Sequence, residues 1–150
     1  MTHPAYHIEL PQARSTSVVF AAPHSGIDYP ADFLSAAELG ATEIRSSEDA
    51  YVDRLFACAP VHGAALLVAR APRAFIDLNR SPEELDPALI EGIARASSNP
   101  RVASGLGVIP RVVANGRAIY RGKISIDEAH ARIDGYWRPY HDALQTLLDE

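Results

Sequence analysis

Runs of apolar residues separated by polar segments predict both strands and helices along this chain. Ser17–Ala22 is continuously apolar after its first residue, and Ala64–Arg70 is apolar up to its last. Such runs, without alternation, are typical of strands buried on both faces. Ala74–Leu78 predicts a third strand, or a continuation of the second one after Pro72. Strands interspersed with helical segments predict an α/β fold, a mixed sheet flanked by helices, in one domain spanning residues 1–150.

Two helices are predicted in the first half of the chain. Ala31–Leu39 is the first, and Gly40 follows it at a position typical of a helix end. Ser47 predicts the N-cap of the second, with Glu48 and Asp49 in the first turn, where the helix dipole favours carboxylates. Its buried face is predicted from residues at helical spacing: Val52, Leu55, Phe56 and Ala59.

The second half of the chain predicts a loop, a hairpin and a long terminal helix. Ser97–Gly107 is rich in Ser, Gly, Asn and Pro and predicts a long loop. Asn115-Gly116 between two apolar runs predicts a hairpin. Ser125–Glu128 matches a capping box before an amphipathic helix, in which Pro139 predicts a kink.

Composition narrows the functional classes. The 150 residues carry a net charge of −5, which disfavours nucleic-acid binding because phosphate contacts need a basic surface. No apolar run approaches the length of a membrane span, and the amino terminus lacks the pattern of a signal peptide. Cys58 is the only cysteine, so an internal disulfide is excluded and a cytoplasmic location is expected. A zinc site would need histidine and carboxylate ligands.

The segment Pro23-His24-Ser25-Gly26 is the first candidate for chemistry. It directly follows the first predicted strand, and open α/β folds keep their ligand sites at the carboxyl ends of strands. A neutral imidazole there is a good zinc ligand, and Glu48 or Asp49 is the candidate second ligand, with Asp49 favoured. Ser25 is disfavoured as a nucleophile because the Gly-x-Ser-x-Gly pattern is absent.

A second candidate site follows Ala74–Leu78. Arg80 offers a bidentate clamp for a carboxylate, and Asn79 adds a donor. Arg73, seven residues earlier, is a candidate to polarise a substrate carbonyl or stabilise an oxyanion. The competing interpretations are a surface salt bridge with an Asx turn for Asn79 and Arg80, and a solvated loop arginine for Arg73.

Together these segments resemble the N-formylglutamate amidohydrolase family of zinc-dependent hydrolases. The resemblance covers most of the chain in the family's order. Its segments are Pro-His-Ser-Gly at 23–26, Ser-Glu-Asp at 47–49, Pro-Arg-Ala at 72–74, Ile-Asp-Leu-Asn-Arg at 76–80, Glu-Leu-Asp-Pro at 84–87, Gly-Leu-Gly-Val-Ile-Pro-Arg-Val at 105–112, Tyr-Arg-Gly-Lys at 120–123 and Arg-Pro-Tyr-His at 138–141.

The resemblance implies a fold similar to that of the zinc carboxypeptidases and aspartoacylases. It implies His24 and an acid at 48–49 as zinc ligands, Asn79 and Arg80 as the pair that binds the substrate carboxylate, and Arg73 near the scissile carbonyl. The implied reaction is hydrolysis of N-formyl-L-glutamate to formate and L-glutamate, late in histidine degradation. The implied partner is therefore a small N-acyl acidic amino acid, with neither nucleic acid nor membrane involved.

Family members continue past the last helix into a strand that supplies another zinc-ligand histidine, and their general-base carboxylate lies further on. The chain is therefore expected to correspond to the amino-terminal part of such an enzyme. Two alternatives remain open: a non-catalytic fragment or remnant that binds a carboxylate without turnover, and a related N-acyl amino-acid hydrolase or zinc peptidase.

Overall fold

A small mixed sheet organises the fold in the computed structural model, which describes residues 4–93 and 99–150. The described residues form three strands: β1 (Tyr6–Glu9), β2 (Val19–Ala22) and β3 (Ala65–Ala69). The strand order is β1-β3-β2, with β1 antiparallel and β2 parallel to β3. The predicted α/β class with a mixed sheet is confirmed at this level, whereas the polar amino terminus had given no sign of β1.

β3 is the buried centre of the sheet. All five of its residues are buried, as its continuous apolar run predicts. The same prediction for Ser17–Ala22 is wrong, because β2 begins only at Val19 and only its last residue, Ala22, is buried. β2 lies at one end of the strand order, where its backbone pairs with β3 alone among the described residues.

The predicted strand Ala74–Leu78 is instead a series of buried turns. The amides of Phe75 and Ile76 both donate to the carbonyl of Pro72, at 2.9 and 3.2 Å, which curls the chain. The Asp77 amide then donates to the Val108 carbonyl at 2.8 Å. The apolar residues of this segment are buried, so the run marks the core correctly. Its hydrogen bonds, however, are those of turns, so the predicted strand does not form.

The helix predicted over Ala31–Leu39 is shorter. Helix α1 spans Ala31–Ala36. It ends because the next residues pair elsewhere: Ala37 forms an antiparallel bridge with Tyr120, and the Glu38 amide donates to the Ile119 carbonyl at 2.7 Å. Tertiary pairing therefore replaces the last predicted turn.

The helix predicted from Ser47 through Ala59 does not form as one element. Residues Ile44–Ser47 make a short 3₁₀ turn, helix α2 is only Val52–Leu55, and Ala59–His62 make another 3₁₀ turn. Glu48 is extended, and Tyr51 has a left-handed φ of 66°, which separates the two pieces. The carboxylates at 48 and 49 therefore do not occupy the first turn of a helix.

The predicted buried face of that segment is also largely wrong. Leu55 is 73% exposed and Phe56 is 39% exposed, whereas Ala59 is buried. Val52 is only partly buried. Because the continuous helix does not form, residues three and four apart do not share one face. Their helical spacing therefore does not predict which of them are buried.

The loop predicted over Ser97–Gly107 is partly wrong, because Pro100–Ala103 form a short helix, α3. The first two residues of the predicted loop lie outside the described ranges.

The terminal helical region follows the sequence prediction closely. Helix α4 spans Ile126–Arg132, a π-helical segment spans Ile133–Trp137, and helix α5 spans Arg138–Asp149. The Ser125 side chain accepts a hydrogen bond from the Glu128 amide at 3.1 Å, so the predicted N-cap is confirmed.

A π-helical segment lies directly before the turn of α5 that contains Pro139, where a kink is predicted. The wider turn leaves room for a proline, whose ring would clash with a carbonyl group of the preceding turn in a regular α-helix. The turn predicted at Asn115-Gly116 is also present, since both residues have positive φ and Val112 bridges Ala118 beside it. Full strands do not flank it.

The core lies between the sheet and the terminal helices. Tyr140, Ala143 and Leu147 of α5 are buried in the same cluster as Leu67 of β3. The cluster also contains Ile76 and Leu78, so the turns after Pro72 are held between sheet and helix. No helix within residues 4–93 and 99–150 is long and apolar enough to cross a membrane.

Candidate functional site

The turn at 23–26 presses against the end of β3. A Cβ on Gly26 would lie only 2.1 Å from the Ala71 carbonyl oxygen and 2.6 Å from that of Arg70. Only glycine therefore allows this approach without a shift of the backbone. The Asp28 amide, just beyond, donates to the Arg70 carbonyl at 2.9 Å. The turn is thereby fixed to the carboxyl end of the central strand, with His24 beside it.

The His24 imidazole lies between two carboxylates. Its Nε2 is 2.7 Å from Asp77 Oδ1, and its Nδ1 is 3.2 Å from Asp49 Oδ2. His24 is 8% exposed and Asp77 is 2% exposed, whereas the Asp49 side chain is 53% exposed. Nε2 therefore faces a buried carboxylate, and Nδ1 faces a solvent-exposed one.

Asp77 is the buried hub of this cluster. Its Oδ2 accepts from Arg73 Nε at 3.0 Å, and its Oδ1 also accepts from the Asn79 amide at 2.9 Å. Burial, the largest effect, raises the pKa of Asp77. The hydrogen bond and charge of His24, the charge of Arg73 and the Asn79 amide together outweigh it and bring the pKa below its ordinary value. Asp77 is therefore an ionised acceptor.

This arrangement determines which ring nitrogen of the neutral imidazole carries the proton. An ionised carboxylate can only accept, so the short contact to Asp77 requires the proton on His24 Nε2. The lone pair of Nδ1 then faces Asp49 Oδ2 across 3.2 Å, an unfavourable pairing of two acceptors. A second proton on the ring, or a cation held by Nδ1 and Oδ2 together, resolves that conflict.

Glu48 does not reach His24. Its carboxylate accepts from the Tyr29 hydroxyl at 2.7 Å and from the Arg45 guanidinium at 3.1 Å, and its side chain is 5% exposed. Burial, followed by the hydrogen bond and charge of Glu48, raises the pKa of Tyr29, so the phenol stays a neutral donor. Of the two candidate acids, the geometry therefore brings only Asp49 to the imidazole.

Arg73 and Arg80 both approach Asp77. Arg73 also lies near Asp49, with 4.0 Å between its Nη1 and Asp49 Oδ1. Arg80 Nε is 3.9 Å from Asp77 Oδ2, and within the part of the chain that the structure describes this buried nitrogen has no hydrogen-bond partner. Asn79 contributes its backbone amide to Asp77 and exposes its side chain. The predicted cationic residues are therefore gathered beside the His24–Asp49 pair.

A cavity of about 390 Å³ opens next to this cluster. Asp49 and Arg73 line it on one side, and Leu106, Pro110 and Asn115 line it on another. This volume lies in the usual range for small-molecule sites. Asp49 and Arg73 can therefore contact a ligand in the cavity. The buried Asp77 contacts His24 and Arg73 from the protein interior.

Two aromatic side chains from the terminal helical region hold the turn that carries Asn79 and Arg80. Trp137 Nε1 donates to the Arg80 carbonyl at 2.8 Å, and His141 Nε2 lies 2.8 Å from the Leu78 carbonyl. The two rings stack with centroids 3.9 Å apart. His141 therefore packs against Trp137 and contacts the backbone of this turn. The spacing of Trp137 and His141 along the chain was a signal that the two rings are neighbours. It did not indicate which backbone carbonyl groups they contact.

Sequence reasoning also missed the role of Asp77. The carboxylate was visible two residues before Asn79, but its partner is 53 residues away in sequence. A carboxylate that holds the second nitrogen of a histidine is a common companion of metal-ligating histidines. That general pattern was the signal that could have identified it.

The donor set at His24 and Asp49 fits zinc chemistry. Imidazole nitrogen and carboxylate oxygen are ordinary zinc ligands, and two ligand atoms about 2.0 Å from a tetrahedral ion lie about 3.3 Å apart. The 3.2 Å between Nδ1 and Oδ2 matches this value. Residues 4–93 and 99–150 contain no group of three or more His, Cys, Asp or Glu side chains arranged to hold a metal ion. The described residues therefore offer two candidate ligand atoms, His24 Nδ1 and Asp49 Oδ2.

The solved structures that share this fold include two relatives, which we compare with this chain. The first is the crystal structure of N-formylglutamate amidohydrolase from Ralstonia eutropha JMP134, at 35% sequence identity and a TM-score of 0.89, covering 98% of this chain and 52% of that one. The second is a gene product from Agrobacterium tumefaciens, at 18% identity and a TM-score of 0.71, covering 99% and 51% respectively, and it supports the fold alone. This chain thus spans about half the length of these relatives. No significant match is found among curated proteins.

The family comparison agrees with the resemblance seen in the sequence. The model of the family described as N-formylglutamate amidohydrolase matches residues 16–150, which include the His24 turn, the segment of Asp49 and the turn that carries Arg80. With nine-tenths of the chain matched and a 35% identical solved relative, the predicted family is confirmed. The chain belongs to the N-formylglutamate amidohydrolase family.

Proposed function

We propose that this chain provides the His24–Asp49 half of the metal site and the carboxylate-binding residues of a zinc-dependent amidohydrolase. The proposed reaction is hydrolysis of N-formyl-L-glutamate to formate and L-glutamate in histidine degradation, in the cytoplasm. The observation that carries the proposal is the pairing of His24 Nδ1 with Asp49 Oδ2 at 3.2 Å, while Asp77 occupies Nε2. Family membership supports the reaction class.

His24 and Asp49 are the residues that would hold the metal. Zinc bound at such a site lowers the pKa of a bound water toward about 7 and polarises a carbonyl oxygen. Asp77 keeps the His24 proton on Nε2 and thus keeps the Nδ1 lone pair available toward Asp49. Asp49 is largely exposed, so it can meet both a cation and a small substrate from the cavity side.

The cationic residues suit an acidic substrate. Arg80 is held near the buried Asp77, and its Nε is itself buried. A substrate carboxylate would therefore be bound by the outer nitrogens of its guanidinium group. The exposed Asn79 side chain adds a donor at the same turn. Arg73 lines the cavity beside Asp49 and is the candidate to stabilise charge on the formyl oxygen. A chain of net charge −5 thus carries two arginines beside the proposed metal ligands.

The test combines binding and turnover in the purified chain. We expect native mass spectrometry to detect one zinc ion per chain, and the His24→Ala variant to lose it. His62→Ala is the control, since His62 is an exposed histidine outside the cluster. We expect Arg80→Ala to keep zinc and to weaken L-glutamate binding about tenfold or more in calorimetric titration, because the carboxylate loses its bidentate partner. Arg121→Ala, an exposed arginine, is its control.

The outcomes separate the proposal from its alternatives. Formate release from N-formyl-L-glutamate by the zinc-loaded chain supports the complete reaction. Glutamate binding without formate release indicates a carboxylate-binding protein without turnover, and faster hydrolysis of another N-acyl amino acid indicates a related hydrolase. Equal zinc content in His24→Ala and the unsubstituted chain would contradict the proposed metal site.

A further inference from the structure

We infer that Ser25 is a positioning residue. Its hydroxyl group keeps the two proposed metal ligands, His24 and Asp49, next to each other. The inference rests on the proposed function, since it takes these two residues as the ligands. The sequence pattern disfavours Ser25 as a nucleophile. The structure suggests a different use for the same hydroxyl.

Three hydrogen bonds join the His24–Ser25 turn to the segment that carries Asp49. The Ser25 hydroxyl donates to the Asp49 carbonyl at 3.1 Å and accepts from the Asp53 amide at 3.3 Å. The Asp49 amide in turn donates to the His24 carbonyl at 3.1 Å. The backbones of both proposed ligands are therefore tied together on each side of Asp49.

Ser25 is the one polar side chain in this set of bonds. It is 8% exposed, so its hydroxyl bonds are shielded from water and not easily replaced by it. Asp49, by contrast, has an exposed side chain on a segment that is neither helix nor strand. Without a local tie, nothing in the regular secondary structure would keep its carboxylate next to Nδ1. The hydroxyl does so by using both its donor and its acceptor capacity.

The hydroxyl also supports the start of α2. Asp53 lies in the first turn of that helix, where amides lack partners within the helix. Ser25 satisfies this amide from a different segment, 28 residues earlier in the chain. Loss of the hydroxyl is therefore expected to loosen both Asp49 and the beginning of α2, while β3 keeps its own pairing.

The experiment compares Ser25→Ala with the unsubstituted chain in two measurements. Titration with Zn²⁺ alone, followed by calorimetry, is expected to show at least a tenfold weaker affinity in Ser25→Ala. Amide hydrogen exchange in the metal-free protein is expected to become faster at Asp49 and Asp53 and unchanged in β3. Ser46→Ala is the matched control, an exposed serine three residues before Asp49. Ser25→Thr, which keeps a hydroxyl, is expected to retain most of the affinity.

The results distinguish this inference from the proposed function. If His24→Ala abolishes zinc binding and Ser25→Ala binds within twofold of the unsubstituted chain, the positioning role is overturned while the metal site stands. If the unsubstituted chain binds no zinc, both are overturned. Should Ser25→Ala fail to fold, exchange at the Asp53 amide of the unsubstituted chain still decides, because this amide donates to the Ser25 hydroxyl. A protected Asp53 amide supports the role, and one exchanging at the rate of an open chain overturns it.

Discussion

At the scale of single residues, the site depends on one buried carboxylate. Asp77 contacts His24, Arg73 and the Asn79 amide, and Arg80 lies 3.9 Å away. Ionised carboxylates are costly to bury unless charged and hydrogen-bonding partners surround them. The partners that lower the pKa of Asp77 are thus also the proposed functional residues. The contacts that stabilise the buried charge of Asp77 therefore also position the residues of the site.

Replacement of Asp77 by asparagine tests this dependence. Asp77→Asn keeps the shape of the side chain but removes the charge that faces His24 and Arg73. We expect the free energy of unfolding to fall by about 3 kcal/mol, because charged groups lose a buried partner. We also expect zinc affinity to fall by about 10- to 100-fold, which is the usual loss when the carboxylate partner of a metal-ligating histidine is removed.

Urea denaturation and zinc titration measure the two effects of Asp77→Asn. Asp134→Asn is the control, since Asp134 pairs with Arg138 on the surface of the terminal helical region. Exposed pairs of this kind contribute little to stability. Equal changes in the two variants would contradict the central role assigned to Asp77.

At the scale of the elements, the turns around the site are held from the helical side. Arg132 of α4 is buried, and it donates to the Phe75 carbonyl at 3.1 Å and to the Tyr120 hydroxyl at 2.7 Å. Its guanidinium carbon lies 4.2 Å from the centre of the Phe75 ring, and it also contacts Glu128. α4 is thereby linked to the turns that lead to Asp77, although those turns form no strand.

Arg132→Met tests this link. Methionine keeps much of the side-chain length but donates no hydrogen bond, so the Phe75 carbonyl and the Tyr120 hydroxyl lose a buried donor. We expect the free energy of unfolding to fall by about 3 kcal/mol from these losses and from the lost contact of cation and ring. Thermal and urea denaturation monitored by circular dichroism measure the change.

Arg138→Met is the matched control in the same helical region. Arg138 pairs with Asp134, and both side chains are more than 60% exposed, so a change close to zero is expected. If Arg132→Met were as stable as this control, α4 would not stabilise the turns before the site.

At the scale of the whole molecule, the proposed metal ligands come together only on folding. His24 and Asp49 are 25 residues apart in sequence, and Asp77, which holds His24, is another 28 residues further on. An unfolded chain does not hold these groups at the distances seen here. A metal ion bound at His24 and Asp49 therefore binds the folded state in preference to the unfolded one.

Zinc is accordingly expected to stabilise the chain against heat. At a free Zn²⁺ concentration 100-fold above Kd, linkage predicts about 2.7 kcal/mol, or a rise in Tm of about 5 to 10 °C for a chain of this size. Differential scanning calorimetry with added zinc, and after its removal by a chelator, measures the shift. His24→Ala is the control and is expected to show no shift, so an equal shift in that variant would contradict binding at this site.

The amino-acid sequence by itself determined the features that depend on local patterns. The apolar run of β3, the Ser125 N-cap, the turn at Asn115-Gly116 and the amphipathic pattern of α5 rest on near neighbours in the chain, and each is present. The motifs around His24 and Arg80 likewise identified the family, because they are contiguous and keep their order.

Only the tertiary structure decided how those segments meet. The helix expected after Ser47 is absent; in its place, bonds from the His24–Ser25 turn hold the segment of Asp49 in an extended form. The same folding brings Asp77 onto His24 and leaves Glu48 with Tyr29. Each of these contacts joins residues roughly 20 to 50 positions apart, and their free energy outweighs the weak local preference for helix. Local patterns therefore reveal which residues carry chemistry, and long-range contacts decide which of them act together.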